Sequence, residues 1–490
     1  MPTSSKPEEA PTESTSLTGK SPADAPKKSK RSLTSVAITA LPNFATEYNY
    51  NAISWAMLWI EPLYGSPDWA SELAHNSIFA GTLIGMVSLG YVGDVMGRNR
   101  AMTITLTLMA TGSLLSGLLP WGSDTAVWVL LIIARFIIGV GSGGVYPLSA
   151  AKAREDAVGA SKVGKAQAAA FNLVLRTPAV IWVYFFGWLL VLGIGKGADF
   201  DMEQQAYNGG WDAAWRIYLI FGALPVFPLI FLAARQPESS ELAKAKAGQS
   251  KSTIELLGEG GWAWQMIATG GAWFCYDASY YGNVLLQPKV IAIMFPEDTI
   301  ETKAFKNMGV ALFGLAFSIL TIYLLPIGTK QLQVGSLLLS GVFSFALGAV
   351  WMRLYDAESA AIGWLQLLLY CLLYGTLWIT KVTCYVLPSE TYRVEVRSTL
   401  NGISSALGKL GAITGSYLFE EMLNSVDRTG IVATQSDEEY NRDENLSIQS
   451  VLYASACFSA SGALLTLIGL RMLGNYPPAK EDKSGSEPVA

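Results

Sequence analysis

The feature that most constrains this chain is the recurrence of apolar runs long enough to cross a bilayer. Each crossing needs about 20 residues. Such runs fall at 35–60, 74–93, 101–120, 126–150, 165–194 and 213–234, then at 264–293, 307–326, 334–354, 360–388, 397–421 and 448–472. The sequence therefore predicts an all-α membrane protein with twelve spans in two sets of six. Only 15% of the 490 residues are charged and 51% are hydrophobic. A soluble domain carries about 25% charge, so too little polar surface remains here for one. The same hydrophobicity excludes a mostly disordered chain. The 15 Trp and 21 Tyr suit aromatic belts at two interfaces. A net charge of -5 gives no reason to expect a nucleic-acid partner.

Composition also sets the expected domains. Residues 1–33 and 473–490 read as polar, disordered tails. No apolar stretch follows a basic start, so the first is not a signal peptide. It ends in the basic cluster Lys27, Lys28, Lys30 and Arg31. Residues 34–234 and 263–472 are the two six-helix bundles, and 235–262 is a linker with Glu238, Glu241, Lys244, Lys246 and Lys251. Loops on the N-terminal side hold Arg98, Arg100, Lys152, Arg154, Lys162, Arg235, Lys330, Arg393 and Arg397, whereas the opposite loop from Glu61 to Leu73 has no Lys or Arg. The positive-inside rule puts both termini in the cytosol. The expected location is the plasma membrane; internal membranes obey the same rule. Cys275, Cys371, Cys384 and Cys457 are far apart and read as buried thiols. No metal-ligand spacing, nucleophile–base pair, phosphate-binding loop or cofactor motif is present, which leaves an enzyme reading without support and predicts neither a metal nor a cofactor.

Two sets of six spans joined by a long loop match the layout of the major facilitator architecture, with a substrate site near the midplane. Motifs carry this further. Gly90-Tyr91-Val92-Gly93-Asp94-Val95-Met96-Gly97-Arg98 resembles the signature loop of that superfamily. Small residues let two helices meet closely, and a carboxylate and guanidinium at helix ends can latch one state. The matching loop of the second half, Pro326-Ile327-Gly328-Thr329-Lys330, lacks the Asp and Arg.

Three further segments narrow the resemblance. Gly143-Gly144-Val145-Tyr146-Pro147-Leu148-Ser149-Ala150, with Glu155 following, resembles the fourth span of the phosphate:proton symporter family. Trp273-Phe274-Cys275-Tyr276-Asp277-Ala278-Ser279-Tyr280-Tyr281-Gly282, with Gln287-Pro288, resembles its seventh. Arg397-Ser398-Thr399 through Gly408-Lys409-Leu410-Gly411-Ala412 resembles the start of its eleventh. The resemblance implies that Tyr146, Trp273, Asp277, Tyr281 and Lys409 face substrate. The family's fourth-span Asp is Val145 here, its fifth-span Gln falls on Val174, and its tenth-span Asn falls on Lys381. Glu47 stands for one first-span Asp, and a second is lost. Two cations, Arg176 and Lys381, are new.

Charges inside spans cost ~2.5–3.5 kcal/mol each on insertion scales, so each is a functional candidate. Trp273, Asp277 and Tyr281 are spaced i, i+4, i+8 and share one helical face. Asp277, mid-span among aromatics, reads either as a proton carrier that also meets substrate or as an ion pair with Lys381. Lys381, seven residues before Pro388, lies about 10 Å into its span. It reads as an anion site or as a pair with Asp277 or Glu47. Arg176, before Thr177-Pro178, reads as an oxyanion clamp or as a packing pair, its face lying about 200° from Val174. Lys409 attracts the anion or pairs with a cytosolic-side acid.

Glu47 heads the polar stretch Thr46-Glu47-Tyr48-Asn49-Tyr50-Asn51, which suggests a water-lined cavity and a coupling-ion role. The oxygens of Thr46, Glu47, Asn49 and Asn51 also suit sodium. Arg135 reads as a brace between helices, and His75 as a satisfied interface residue. Asp94, Arg98, Glu155, Glu390 and Arg397 are expected gate residues.

The expected function is a secondary transporter importing phosphate or a related anion with a proton or sodium, by alternating access. The alternatives are a glycerophosphodiester or other organic-anion porter, favoured by a pocket enlarged at Val145 and Val174, an anion exchanger, and a nutrient sensor with a transporter fold.

Overall fold

The computed structural model describes residues 32–472 except 66, 68, 195–208, 296, 299, 356–359 and 429–436. The expected tails, including the basic cluster ending at Arg31, lie outside the described residues apart from Ser32 and Leu33. The protein is an all-helical membrane protein of twelve spans in two six-helix bundles. The first bundle holds α1 (Leu33–Tyr64), α2 (Ala70–Met96), α3 (Arg98–Leu118) and α4 (Asp124–Glu155). Its fifth span is split into α5 (Lys162–Val174) and α6 (Arg176–Ile194), and its sixth into α7 (Gly209–Ile220) and α8 (Phe227–Arg235). The linker forms two short helices, α9 (Ser240–Ala247) and α10 (Thr253–Gly258). In the second bundle α11 (Ala263–Met266), a π-helical turn at Ile267–Gly271 and α12 (Ala272–Met294) make one span. Then come α13 (Ile300–Leu324), α14 (Thr329–Tyr355), α15 (Ala360–Thr391), α16 (Arg397–Arg428) and α17 (Asp437–Met472).

Nine spans among the described residues are long and apolar enough to cross a bilayer on composition alone. The remaining three are α1, the α11–α12 span and α16. They carry Glu47, Asp277 and Lys409. Polarity that lipid would reject therefore sits on helices that turn it inward. The break in the fifth span has a local cause. Pro178 has no N–H to offer the Val174 carbonyl, and the helix is interrupted at Leu175.

Small residues hold the helices together. A Cβ on Gly85 of α2 would lie 2.0 Å from the Val140 carbonyl of α4. In the second bundle Gly411 and Gly415 of α16 are each 2.1 Å, by the same measure, from carbonyls of α12. With no hydrophobic drive between helices in lipid, such close approach supplies the dispersion contact. The two halves also share a turn: Gly97, between α2 and α3, has φ 106, and Gly328, between α13 and α14, has φ 111. Only glycine enters that region freely.

The bundles meet at the end where α1 begins and α4 and α15 finish, called here the latch face. There α16 crosses α2, and a Cβ on Gly402 would lie 2.0 Å from the Met86 carbonyl. Large apolar side chains such as Trp188, Phe231, Tyr323 and Phe345 point outward, where a bilayer covers them. Cys275, Cys371 and Cys384 are buried as expected; Cys457 is not, because α17 presents it on its outer face. Gly402→Val should push α16 off α2 and cost about 1–3 kcal/mol, the usual cost of overpacking. A lower melting temperature of the purified protein would show it; an unchanged one would contradict the close approach.

Candidate functional site

Charged side chains from five helices converge between the bundles. From the first, Arg176 at the start of α6 places its Nη1 3.0 Å from Oε2 of Glu47 on α1. Its Nε donates to Oδ1 of Asn43 at 3.2 Å, and Nη1 also donates to the Tyr146 hydroxyl on α4. The guanidinium carbon lies 3.9 Å from the centre of the Tyr146 ring. From the second bundle, Lys381 on α15 stands 3.9 Å from Oε1 of Glu47. Its Nζ lies 4.1 Å from the Trp378 ring and 4.8 Å from that of Tyr280. Lys409 on α16 lies 3.6 Å from Oδ2 of Asp277 on α12 and donates to the Tyr281 hydroxyl at 2.7 Å. Trp273 packs beside Tyr146, ring centres 6.1 Å apart, and so joins the two halves of the cluster.

The structure thus brings together Glu47, Tyr146, Arg176, Trp273, Asp277, Tyr281, Lys381 and Lys409. Three cations face two carboxylates. Cation–π contacts and tyrosine hydroxyls supply the rest of the solvation that water would give.

The pairings select among the expected alternatives for Lys381 and differ from expectation for Asp277 and Lys409. The nearest acid to Lys381 is Glu47, and Asp277 pairs with Lys409. Asp277 and Lys381 sit on neighbouring helices, but Lys381 leans across the gap to the other bundle. Among the described residues the acid within salt-bridge reach of Lys409 is Asp277, not one at the latch face. Arg176 is both exposed to the cluster and paired, since the interruption at Leu175 resets its direction relative to Val174.

The polar stretch of α1 does not form one wall. Oδ1 of Asn49 accepts from Ser113 of α3 at 3.0 Å and its Nδ2 donates to the Ala45 carbonyl at 2.9 Å. Thr46 lies against Met109, and Asn51 donates to the backbone carbonyl of Glu47. Thr46 and Asn49 share the face toward α3, but Asn51 bonds within α1 and Glu47 turns to Arg176, so the four side chains do not converge as a sodium site. Among the described residues no cluster of three or more His, Cys, Asp or Glu is placed to hold a metal. Val145 belongs to the apolar core of the first bundle, with Leu106, Met109 and Ile138, and does not widen the site. Arg135 braces α4 against α1 by donating to the Asn49 carbonyl at 2.7 Å. His75 is held by Ser71 and Ser54.

Sequence reasoning missed Asn43 and the link between bundles just toward the latch face. Asn43 stands one turn before Glu47, and that i, i+4 spacing was the available signal. Ser149 and Tyr385 are 2.6 Å apart, oxygen to oxygen, joining α4 to α15. Nothing local in the sequence pairs them.

The latch face gathers the second group. Arg98 bonds Asp94 and reaches Oε1 of Glu155 at 3.1 Å. Its Nη2 donates across the interface to the Val394 carbonyl at 2.7 Å. Asp94 accepts from the backbone N–H groups of Ser398 and Thr399, at 3.1 and 2.7 Å, where α16 begins. A carboxylate is favoured at a helix N-terminus. Arg397 lies 3.0 Å from Glu155, and Glu390 pairs with Arg154 at 3.4 Å. The linker is tied in as well. Glu238 caps α3 through the N–H groups of Arg98 and Asn99, both at 2.9 Å, and Ser239 donates to Glu155 at 3.1 Å. Asp94→Asn should weaken the carboxylate that joins α2 to the start of α16. Labelling of a Ser149→Cys reporter by a thiol reagent from the latch face should rise about tenfold, the effect of roughly 1.4 kcal/mol on an opening equilibrium; unchanged labelling would remove Asp94 from the latch.

Comparison with known proteins fits this architecture. A profile of the Major Facilitator Superfamily matches residues 33–416. The chain is 30% identical over 403 residues to inorganic phosphate transporter PT2 of Toxoplasma gondii, covering 80% of this chain and 67% of that one. It is 26% identical over 459 residues to low affinity inorganic phosphate transporter 4 of Petunia hybrida, covering 81% and 84%. Among solved structures, the proton:xylose symporter XylE superposes with a TM-score of 0.68 at 18% identity, covering 91% of this chain and 95% of XylE. FucP in its outward conformation gives 0.66 at 12%, covering 89% and 98%. The chain belongs to the major facilitator superfamily, in the branch that holds these inorganic phosphate transporters.

Proposed function

We propose that this transporter imports inorganic phosphate together with a proton by alternating access. One observation carries the reading: Arg176, Lys381 and Lys409 converge between the bundles, with Tyr146, Trp273 and Tyr281 around them. An oxyanion there gains charge-assisted hydrogen bonds from a guanidinium fork and two ammonium groups. The names of the relatives specify phosphate among oxyanions.

Each side chain has a task in this scheme. Arg176 and Tyr146 hold the anion from the first bundle, and Lys381, Lys409 and Tyr281 from the second. Trp273 closes the apolar side. Asp277 carries the coupling proton, since it borders the anion and meets a single cation within salt-bridge reach. Glu47, the second carboxylate in contact with the cations, is the other coupling candidate. Moving a proton with the anion avoids driving net negative charge against an inside-negative potential, which costs about 2.3 kcal/mol per charge per 100 mV.

The Lys- and Arg-rich loops support a cytosolic latch face with both termini on that side, and the plasma membrane is the location this reading proposes. Asp94, Arg98, Glu155, Glu390 and Arg397 then close the cytosolic path while the anion loads from outside. Their release lets the bundles rock and the anion leave.

The test is uptake of labelled phosphate into liposomes holding the purified protein, with inner and outer pH set separately. Accumulation should follow an inward proton gradient, and Asp277→Asn should reduce it at least about tenfold, a lower bound on the roughly 10²–10⁴-fold that a positioned acid–base group contributes. No phosphate uptake under any proton or sodium gradient would exclude inorganic phosphate as substrate.

A further inference from the structure

The three cations are divided between the halves. Arg176 belongs to the first bundle, and Lys381 and Lys409 to the second. Any closure around the site presses like charges toward one another in a medium of low dielectric. An anion must lie between them for the halves to close. When substrate is bound, substrate fills that place. The structure has another group there already. Glu47 sends Oε2 to Arg176 at 3.0 Å within its own bundle and Oε1 to Lys381 at 3.9 Å in the other. Asp277 does not do this, because its partner Lys409 is in the same bundle. Asn43 and Tyr146 fix Arg176 from the far side, and the Trp378 and Tyr280 rings fix Lys381. Glu47 is thus set between two immobilised cations. Its side chain keeps 12% of its exposure, more than Arg176 or Lys381 retain, so it is the member of the trio best able to swing away.

We propose that Glu47 is a tethered counter-anion: it occupies the substrate's place between Arg176 and Lys381 when the carrier is empty, and so allows the empty carrier to close and return. This rests on the phosphate reading above. Two consequences follow from competition for the same cations. Substrate must displace the carboxylate, so Glu47 lowers affinity. Without the carboxylate, only the loaded carrier can close, and net transport turns into exchange. Arg176 and Lys381 are both absent from the family pattern that the sequence resembles, so the device belongs to this chain's own site.

The experiment compares two fluxes of labelled phosphate in proteoliposomes: net uptake into phosphate-free vesicles and counterflow into phosphate-loaded ones. In Glu47→Gln the ratio of net uptake to counterflow should fall at least about tenfold, and phosphate binding to the purified protein should tighten about tenfold, as loss of a competitor worth roughly 1.4 kcal/mol requires. Adding Lys381→Gln removes the uncompensated cation and should return the ratio toward that of the wild type. A ratio that stays constant while both fluxes fall overturns the proposal, as does weaker phosphate binding in Glu47→Gln. Should Glu47→Gln not fold, Glu47→Asp keeps the charge but shortens the reach to Lys381. The ratio should then fall part of the way, and an unchanged ratio overturns the proposal. A wild type with neither flux and no phosphate binding overturns the phosphate reading itself, and this inference with it. Fluxes present in the wild type with an unchanged ratio in every variant overturn the inference alone.

Discussion

Arg176 and Lys381 reach Glu47 from opposite halves of the chain, and the middle of the molecule depends on that meeting. A charge at the bilayer centre is costly, and pairing lowers the cost only when geometry is good. The protein satisfies this with few residues. Breaking the fifth span ahead of Pro178 turns Arg176 inward. Placing Glu47 on α1 beside the gap between the bundles gives it a partner on each side. Stacking Lys381 against Trp378 and Tyr280 replaces water with aromatic faces. In the proposed reading the site selects anions because three cations there face two carboxylates.

The latch face uses the same chemistry to a different end. There, opposite charges are matched in a dense network, and backbone groups from the start of α16 complete it. The central site holds three cations against two carboxylates and stays ready for a ligand. The latch holds Asp94, Arg98, Glu155 and Arg397 in mutual contact and needs none. The linker adds Glu238 and Ser239, so the segment joining the bundles is tied into the same network. The second half keeps the positive-φ glycine of the corresponding turn but not its charges, which leaves the latch on one side of the pseudo-two-fold axis.

Much of this was legible in the sequence. The spans, their number and their division into two sets follow from apolar length alone, since a bilayer imposes one dimension on every crossing. Asp277, Trp273 and Tyr281 share a face because four residues make nearly one helical turn. Glu47, Arg176, Lys381 and Lys409 stood out because charge inside a span is rare. The signature loop marked Asp94 and Arg98 because its glycines and charges lie next to one another in the chain.

Tertiary structure decided the pairings. Lys381 meets Glu47 rather than Asp277, and Lys409 takes Asp277, because helix rotation and tilt set which cation reaches which acid. Those angles come from contacts such as Gly411 on Phe274 and Gly402 on Met86, far apart in sequence. Thr46 and Asn49 turn to α3 while Asn51 bonds within α1 and Glu47 turns to Arg176, so the four do not form one site. Ser149 finds Tyr385 only once the two bundles are docked. The sequence by itself determined which residues must leave the lipid; the packing of small residues between helices determined whom they meet, because an ångström of approach decides an ion pair and no local pattern encodes it.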